Sequence, residues 1–136
     1  MQVHEMMATH PDAPREHDEL LARCIEACHA CAQACNACAD ACLGEEEVAE
    51  LRDCIRLNLD CADLCATVGR VVTRRTGVND GLLPEIISLC ALACRLCADE
   101  CGRHARMHEH CRVCAAACRT CAEACNEATR ALRGRA

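Results

Sequence analysis

The sequence predicts an all-α protein, an antiparallel four-helix bundle with a cysteine-lined core and a short N-terminal arm or helix. Three observations carry this. Cys24, Cys28, Cys31, Cys35, Cys38 and Cys42 follow one another in alternating steps of four and three, the a/d heptad pattern that lines one stripe of a helix. The pattern returns as Cys90, Cys94, Cys97 and Cys101, and again as Cys111, Cys114, Cys118, Cys121 and Cys125. Phe, Tyr and Trp are absent from all 136 residues, so the core must be assembled from Ala, Leu, Val, Ile and Cys. Ala-rich segments with few β-branched residues favour helix. A chain of this length makes one domain, read as an arm over residues 1–11 and a bundle over 12–136.

In order along the chain, residues 1–11 read as a loose arm or a short helix. Asp12 is a plausible N-cap, with Pro14 in the first turn, and the first long helix runs to about Leu43, with Gly44 as its C-cap residue. The second runs from about Glu45 to Thr73. Its start, Glu45-Glu46-Glu47, and its end, Arg74-Arg75, suit the two poles of the helix dipole. Its seam reads Glu47, Leu51, Cys54, Asn58, Cys61, Cys65, Val68, Val72, with fewer cysteines than the others. Gly77-Val78-Asn79-Asp80-Gly81 is the longest break. Asp80 can cap the third helix, Pro84 is tolerated in its first turn, and the helix runs to about His104. The fourth starts near His108 and ends near Leu132, before Gly134. The short connections at 43–45 and 105–107 imply antiparallel hairpins.

The two ends of such a bundle differ. One gathers Leu21, Val68, Val72, Leu83, Ile87 and Leu132, a hydrophobic plug. The other gathers Cys42, Cys101, His104, Met107, His108 and Cys111. Heptad stepping carries His104 and His108 between Cys101 and Cys111, so metal is expected to be admitted at that end, while His110 steps off the seam and reads as solvated.

Composition excludes several classes. Net charge is −6, from 15 basic and 21 acidic residues. No basic patch with interleaved aromatics supports nucleic-acid binding, and no apolar stretch suffices for a membrane span. MQVHEMMATHPDAPREHDEL lacks the basic and apolar regions of a secretory signal, so a cytosolic location with reduced thiols is expected. Cysteines one turn apart are poor disulfide partners, because closing so short a loop removes little unfolded-state entropy.

Thiolate is a soft ligand that selects Cu(I), zinc or iron–sulfur clusters. A zinc ion held by four thiolates keeps a net charge of −2, and several such sites would bury uncompensated charge. Cu(I) bridging thiolates one to one leaves a neutral core. Iron–sulfur is the next candidate, since CxxC pairs abound, but no Cys-Pro occurs and the intervening residues form helix rather than a wrapping loop. Free Cys packs as a small hydrophobe, so the metal-free bundle should fold and then exchange thiol protons for metal. A preformed tube of ligands describes a store, and nothing resembles an activated nucleophile, so no enzyme activity is expected.

The run C-x3-C-x2-C-x3-C-x2-C-x3-C of the first long helix, with cysteine-rich partner helices, resembles the bacterial copper storage proteins over about residues 18–132. The resemblance implies a four-helix bundle whose cysteines hold many Cu(I) ions, about one per cysteine. It also implies a cytosolic homotetramer, because no twin-arginine signal is present, and admission through a His- or Met-bearing mouth. A copper chaperone is a candidate partner. The eighteen ligands would then be Cys24, Cys28, Cys31, Cys35, Cys38, Cys42, Cys54, Cys61, Cys65, Cys90, Cys94, Cys97, Cys101, Cys111, Cys114, Cys118, Cys121 and Cys125, with His104 and His108 at the mouth. The rival readings are an iron–sulfur electron-transfer protein and a zinc-buffering protein.

Other residues carry two readings each. Asn58, on the seam between Cys54 and Cys61, either hydrogen-bonds a neighbouring helix or weakly ligates metal through its oxygen. His104 and His108 are either ligands or polar helix ends, and Met107 a thioether ligand or an apolar cap. His4, Met6, Met7 and His10 form a capture site or a disordered terminus. Leu89, Leu92 and Leu96, with Leu57 and Leu64, pack the bundle flank or form an oligomer interface.

Overall fold

The computed structural model describes residues 1–77 and 79–134. Val78 of the predicted break and residues 135–136, the end of the predicted bundle segment, lie outside the described residues. The elements are α1 (Val3–Ala8), α2 (Asp18–Leu43), a 3-10 turn (Val48–Leu51), α3 (Arg52–Val72), α4 (Leu83–Arg103) and α5 (Glu109–Leu132). The four long helices form the bundle. α2 packs on α3 and α5, and α4 packs on the same two, so α2 and α4 face each other diagonally.

Three expected helix starts move, each for a local reason. α2 begins at Asp18, not after Asp12. The chain must turn back through residues 9–17 to lay α1 along α2, and the residue before Pro14 is disfavoured in helix. The start is marked by His17 in the left-handed region (φ 71°). Asp18 reaches back to accept a hydrogen bond from the Arg15 backbone N–H at 2.9 Å. α3 begins at Arg52 because the acidic segment at 45–47 is consumed in crossing from α2, and the 3-10 turn buries Leu51 instead. α4 is capped by Leu82, not Asp80, with Pro84 in its first turn. Gly134 takes φ 64° just beyond α5, the left-handed conformation that favours glycine after a C-cap.

The arm is ordered as α1. Val3 and Met7 are buried against α2, His4 lies 3.3 Å from Glu26, and His10 Nε2 lies 3.3 Å from the Thr76 hydroxyl. Met7 is therefore a packing residue, while Met6 stays exposed.

The plug end is as expected, with Leu21, Val68, Val72, Leu83 and Ile87 buried and Leu132 packed beside them. A feature not foreseen lies above it. Arg75 is 8 % exposed and pairs with Asp18 at 2.6 Å, while Arg15 donates to the Arg75 carbonyl at 2.7 Å. Burial raises the Asp18 pKa, but the Arg15 N–H and the Arg75 guanidinium outweigh it and hold the carboxyl below its ordinary value. This ion pair ties the start of α2 to the segment that follows α3.

Candidate metal centre

All eighteen cysteines are free and buried, none more than 2 % exposed. The heptad seams of α2 to α5 place every sulfur toward the bundle axis, and the small Ala22, Ala39, Ala62, Ala91, Ala98, Ala115 and Ala128 buried beside them let the helices approach. The sulfurs bridge the diagonal as well as neighbours. Cys28 meets Cys90 at 3.9 Å, Cys31 meets Cys94 at 4.0 Å, and Cys35 meets Cys97 at 3.9 Å.

Along the axis the sulfurs form a continuous ladder from Cys24–Cys125 at 3.7 Å through Cys65–Cys94 at 3.5 Å and Cys35–Cys118 at 3.5 Å to Cys54–Cys101 at 3.4 Å. Quartets whose sulfurs all lie within 4.8 Å of one another stack along it. They include Cys28/Cys90/Cys121/Cys125, Cys31/Cys65/Cys94/Cys121, Cys31/Cys35/Cys61/Cys118, Cys35/Cys97/Cys114/Cys118 and Cys38/Cys42/Cys54/Cys111. Cys31, Cys35, Cys118 and Cys121 each recur among these, so the sites share ligands. With metal–sulfur bonds of about 2.3 Å, three sulfurs around one ion sit about 4.0 Å apart. The observed spacing therefore accepts three-coordinate ions with little movement, whereas a linear two-coordinate ion needs about 4.6 Å and a modest side-chain rotation.

Asn58 is fully buried and forms the one amide rung among the described residues of the sulfur ladder. Its Oδ1 accepts from the thiols of Cys97 at 3.0 Å, Cys114 at 3.1 Å and Cys101 at 3.4 Å. Its Nδ2 donates to Cys54 Sγ at 3.6 Å. Both ends of the amide are thus satisfied across three helices, and the expected cross-helix hydrogen bond is made to sulfur.

Charge is uneven among the outermost sulfurs. The neighbouring thiols, Cys101 first at 3.4 Å, hold Cys54 below the ordinary thiol value. Burial, and then the charge on Cys54, push Cys42 up to about 11 and raise Cys111 in the same way.

The mouth differs from expectation. His110 is only part-exposed, and its Nδ1 lies 3.4 Å from Cys38 Sγ and 3.7 Å from Cys111 Sγ, whereas His104 and His108, expected on the seam, are paired with carboxylates. His108 is nearly buried and lies with Nδ1 3.2 Å from Glu45 and Nε2 3.6 Å from Glu47. It stacks on His110 with centroids 5.6 Å apart. His104 is held by Glu100 at 3.0 Å. The reason is that heptad stepping does not cross residues 104–108. α4 ends at Arg103, and His108 is the extended N-cap of α5. Met107 is 74 % exposed. Glu45, which sequence reading assigned only to a dipole, joins the site. A hydrogen bond from His110 holds its carboxyl below the ordinary value.

Among the described residues, no helix is long and apolar enough to cross a membrane. The leucine stripe of α4 lies open. Leu89, Leu92 and Leu96 stand half-exposed and, with Leu57 and Leu64 of α3, line a groove of about 190 Å³.

Comparison with known proteins agrees with this geometry. The family model of the copper storage proteins matches residues 17–130. A copper storage protein of Streptomyces lividans, solved with 10 copper equivalents, is 50 % identical, with a TM-score of 0.91 over 93 % of this chain and 97 % of that one. A structure described as a cytosolic copper storage protein from the same organism, with five coppers, is 53 % identical with a TM-score of 0.81, covering 87 % of this chain and 96 % of that one. The Cu(I)-bound storage protein BsCsp3, of Bacillus subtilis, is 44 % identical with a TM-score of 0.68, covering 76 % and 92 %. A cysteine-rich protein of Bacillus subtilis, YhjQ, is 45 % identical over 66 % of this chain and 78 % of its own length.

Proposed function

Because this chain belongs to the copper storage protein family, we propose that it is a cytosolic reserve for Cu(I) whose eighteen cysteines are the ligands, at about one ion per thiolate. The carrying observation is the ladder of reduced, buried sulfurs, 3.4 to 4.0 Å apart from Cys24 to Cys54 and joined to the outermost Cys38, Cys42 and Cys111 within 4.8 Å. Divalent ions at four thiolates each would leave charge in this water-free interior, and one Cu(I) for each thiolate leaves none. The reserve withholds a toxic ion without catalytic turnover. His104 and His108 admit copper, and the position of His110 beside Cys38 and Cys111 adds it to them. Asn58 Oδ1, freed when the surrounding thiols lose their protons, is a further weak donor.

Residues 12–136 serve as the storage domain and 1–11 as an appended arm. The half-exposed leucines of α4 support an assembly of several copies, with tetramers as the family expectation. A chaperone delivering copper at the mouth is the natural partner.

The deciding experiment is an anaerobic titration of the reduced protein with Cu(I), read by a chromophoric chelator. The chelator is expected to stay uncoloured until about eighteen ions are bound. An equivalence point near four or five, together with retention of zinc against added Cu(I), would establish the zinc-buffering rival. Brown colour after aerobic purification would establish the iron–sulfur one.

A further inference from the structure

Glu45 makes a pair of contacts that no packing need explains. It follows the α2 C-cap Gly44, and its backbone N–H donates to the Cys42 carbonyl at 3.2 Å, which fixes it at the mouth. A single oxygen, Oε2, lies 2.9 Å from His110 Nε2 and 3.2 Å from His108 Nδ1. A carboxylate accepts hydrogen bonds and donates none, so the His110 nitrogen that faces it carries the hydrogen. The other nitrogen, Nδ1, then keeps its lone pair, and this is the atom beside Cys38 Sγ at 3.4 Å and Cys111 Sγ at 3.7 Å. The stacked His108 ring, with an interplanar angle of 24°, closes one face of His110 and opposes rotation.

We propose that Glu45 is a positioning residue for copper uptake: it fixes His110 in the tautomer whose Nδ1 is a ready donor and aims that nitrogen between two thiols. The inference rests on the storage reading. Without Glu45 the imidazole can place its hydrogen on Nδ1 and donate it to sulfur, which removes the lone pair. With Glu45, an ion arriving from a weaker thiolate or chelate complex meets one nitrogen and two sulfurs. Cys38 and Cys111 release their protons to water as it binds, and His110 releases none. Carboxylates that orient a ligating histidine in this way are worth about 10- to 100-fold in metal sites.

The test compares wild type with E45A and E45Q, using Cu(I) supplied as a chelate. E45A is expected to slow the initial uptake by about tenfold while final capacity and helicity stay unchanged. E45Q is expected to fall between, since its amide oxygen accepts the same hydrogen but its nitrogen also tolerates the other tautomer. Nitrogen NMR of the reduced, metal-free proteins should show His110 Nδ1 without a hydrogen in wild type and a mixture of tautomers in E45A. The proposal is overturned if E45A takes up copper at the wild-type rate, if its His110 tautomer is unchanged, or if E45Q is as slow as E45A. Failure of the wild type to bind many Cu(I) ions would instead sink the storage reading, and the tautomer measurement would still decide the role of Glu45.

Discussion

At the scale of single residues, the outermost sulfur layer makes the bundle sensitive to alkali. Cys42 is held protonated up to about 11, against 9.0 for an ordinary thiol. The native state therefore keeps this proton where the unfolded chain has lost it. Its contribution to stability is whole below about pH 9 and is lost as pH rises through 11. The urea midpoint of the metal-free protein is expected to drop between pH 8.5 and pH 11, and C42A is expected to blunt that drop. An unchanged midpoint would mean that burial does not hold the proton. Gly69 offers a second residue-scale test. A Cβ there would stand 3.0 Å from the part-exposed His29 ring, so G69A is expected to gain less than the roughly 1 kcal/mol that Ala's better helix propensity offers, because the ring must give way. In an H29A background the same change should stabilise by about 1 kcal/mol. Denaturation of the four proteins measures that coupling.

At the scale of elements, the sequence made the helices and their inward faces legible because heptad spacing is a property of one rigid rod. The stripe from Cys24 to Cys42 needed no tertiary information to be placed on one face. Elements that end or begin against another part of the chain were not legible. Asp18 replaces Asp12 at the start of α2 because α1 folds back and Arg75 comes from the segment beyond α3. Counting by sevens places His110 one step off the Cys111 seam and gives no sulfur contact; the ring reaches Cys38 and Cys111 from the first turn of α5, which the turn at 104–108 precedes. The nearest clue was a histidine beside Cys111, in a first helical turn, where register is least constrained. α2 is expected to tolerate loss of ligands. The double substitution C31A/C35A costs about 1 kcal/mol per site, below the range for truncating a buried Leu, and should remain helical by circular dichroism while capacity falls by about two ions. Loss of helicity would instead show that these sulfurs hold the helices together.

At the scale of the whole molecule, the groove between α3 and α4 leaves leucines open to water that a monomer has no reason to keep in one stripe. On the proposed tetramer, L89E/L96E is expected to give single chains in analytical ultracentrifugation where the wild type sediments as a multimer, without altering copper capacity. Persistence of the wild-type sedimentation coefficient would move the interface elsewhere. The aliphatic plug at the base has a different consequence. A cylinder stoppered at its base can be drawn down only from the top, so the ions deposited most recently leave earliest and the oldest deposit stays longest. Loading with one copper isotope and then a second should return the second isotope ahead of the first when a chelator is added. A cell holding such a cylinder would have a quick allowance and a deep reserve within the same molecule.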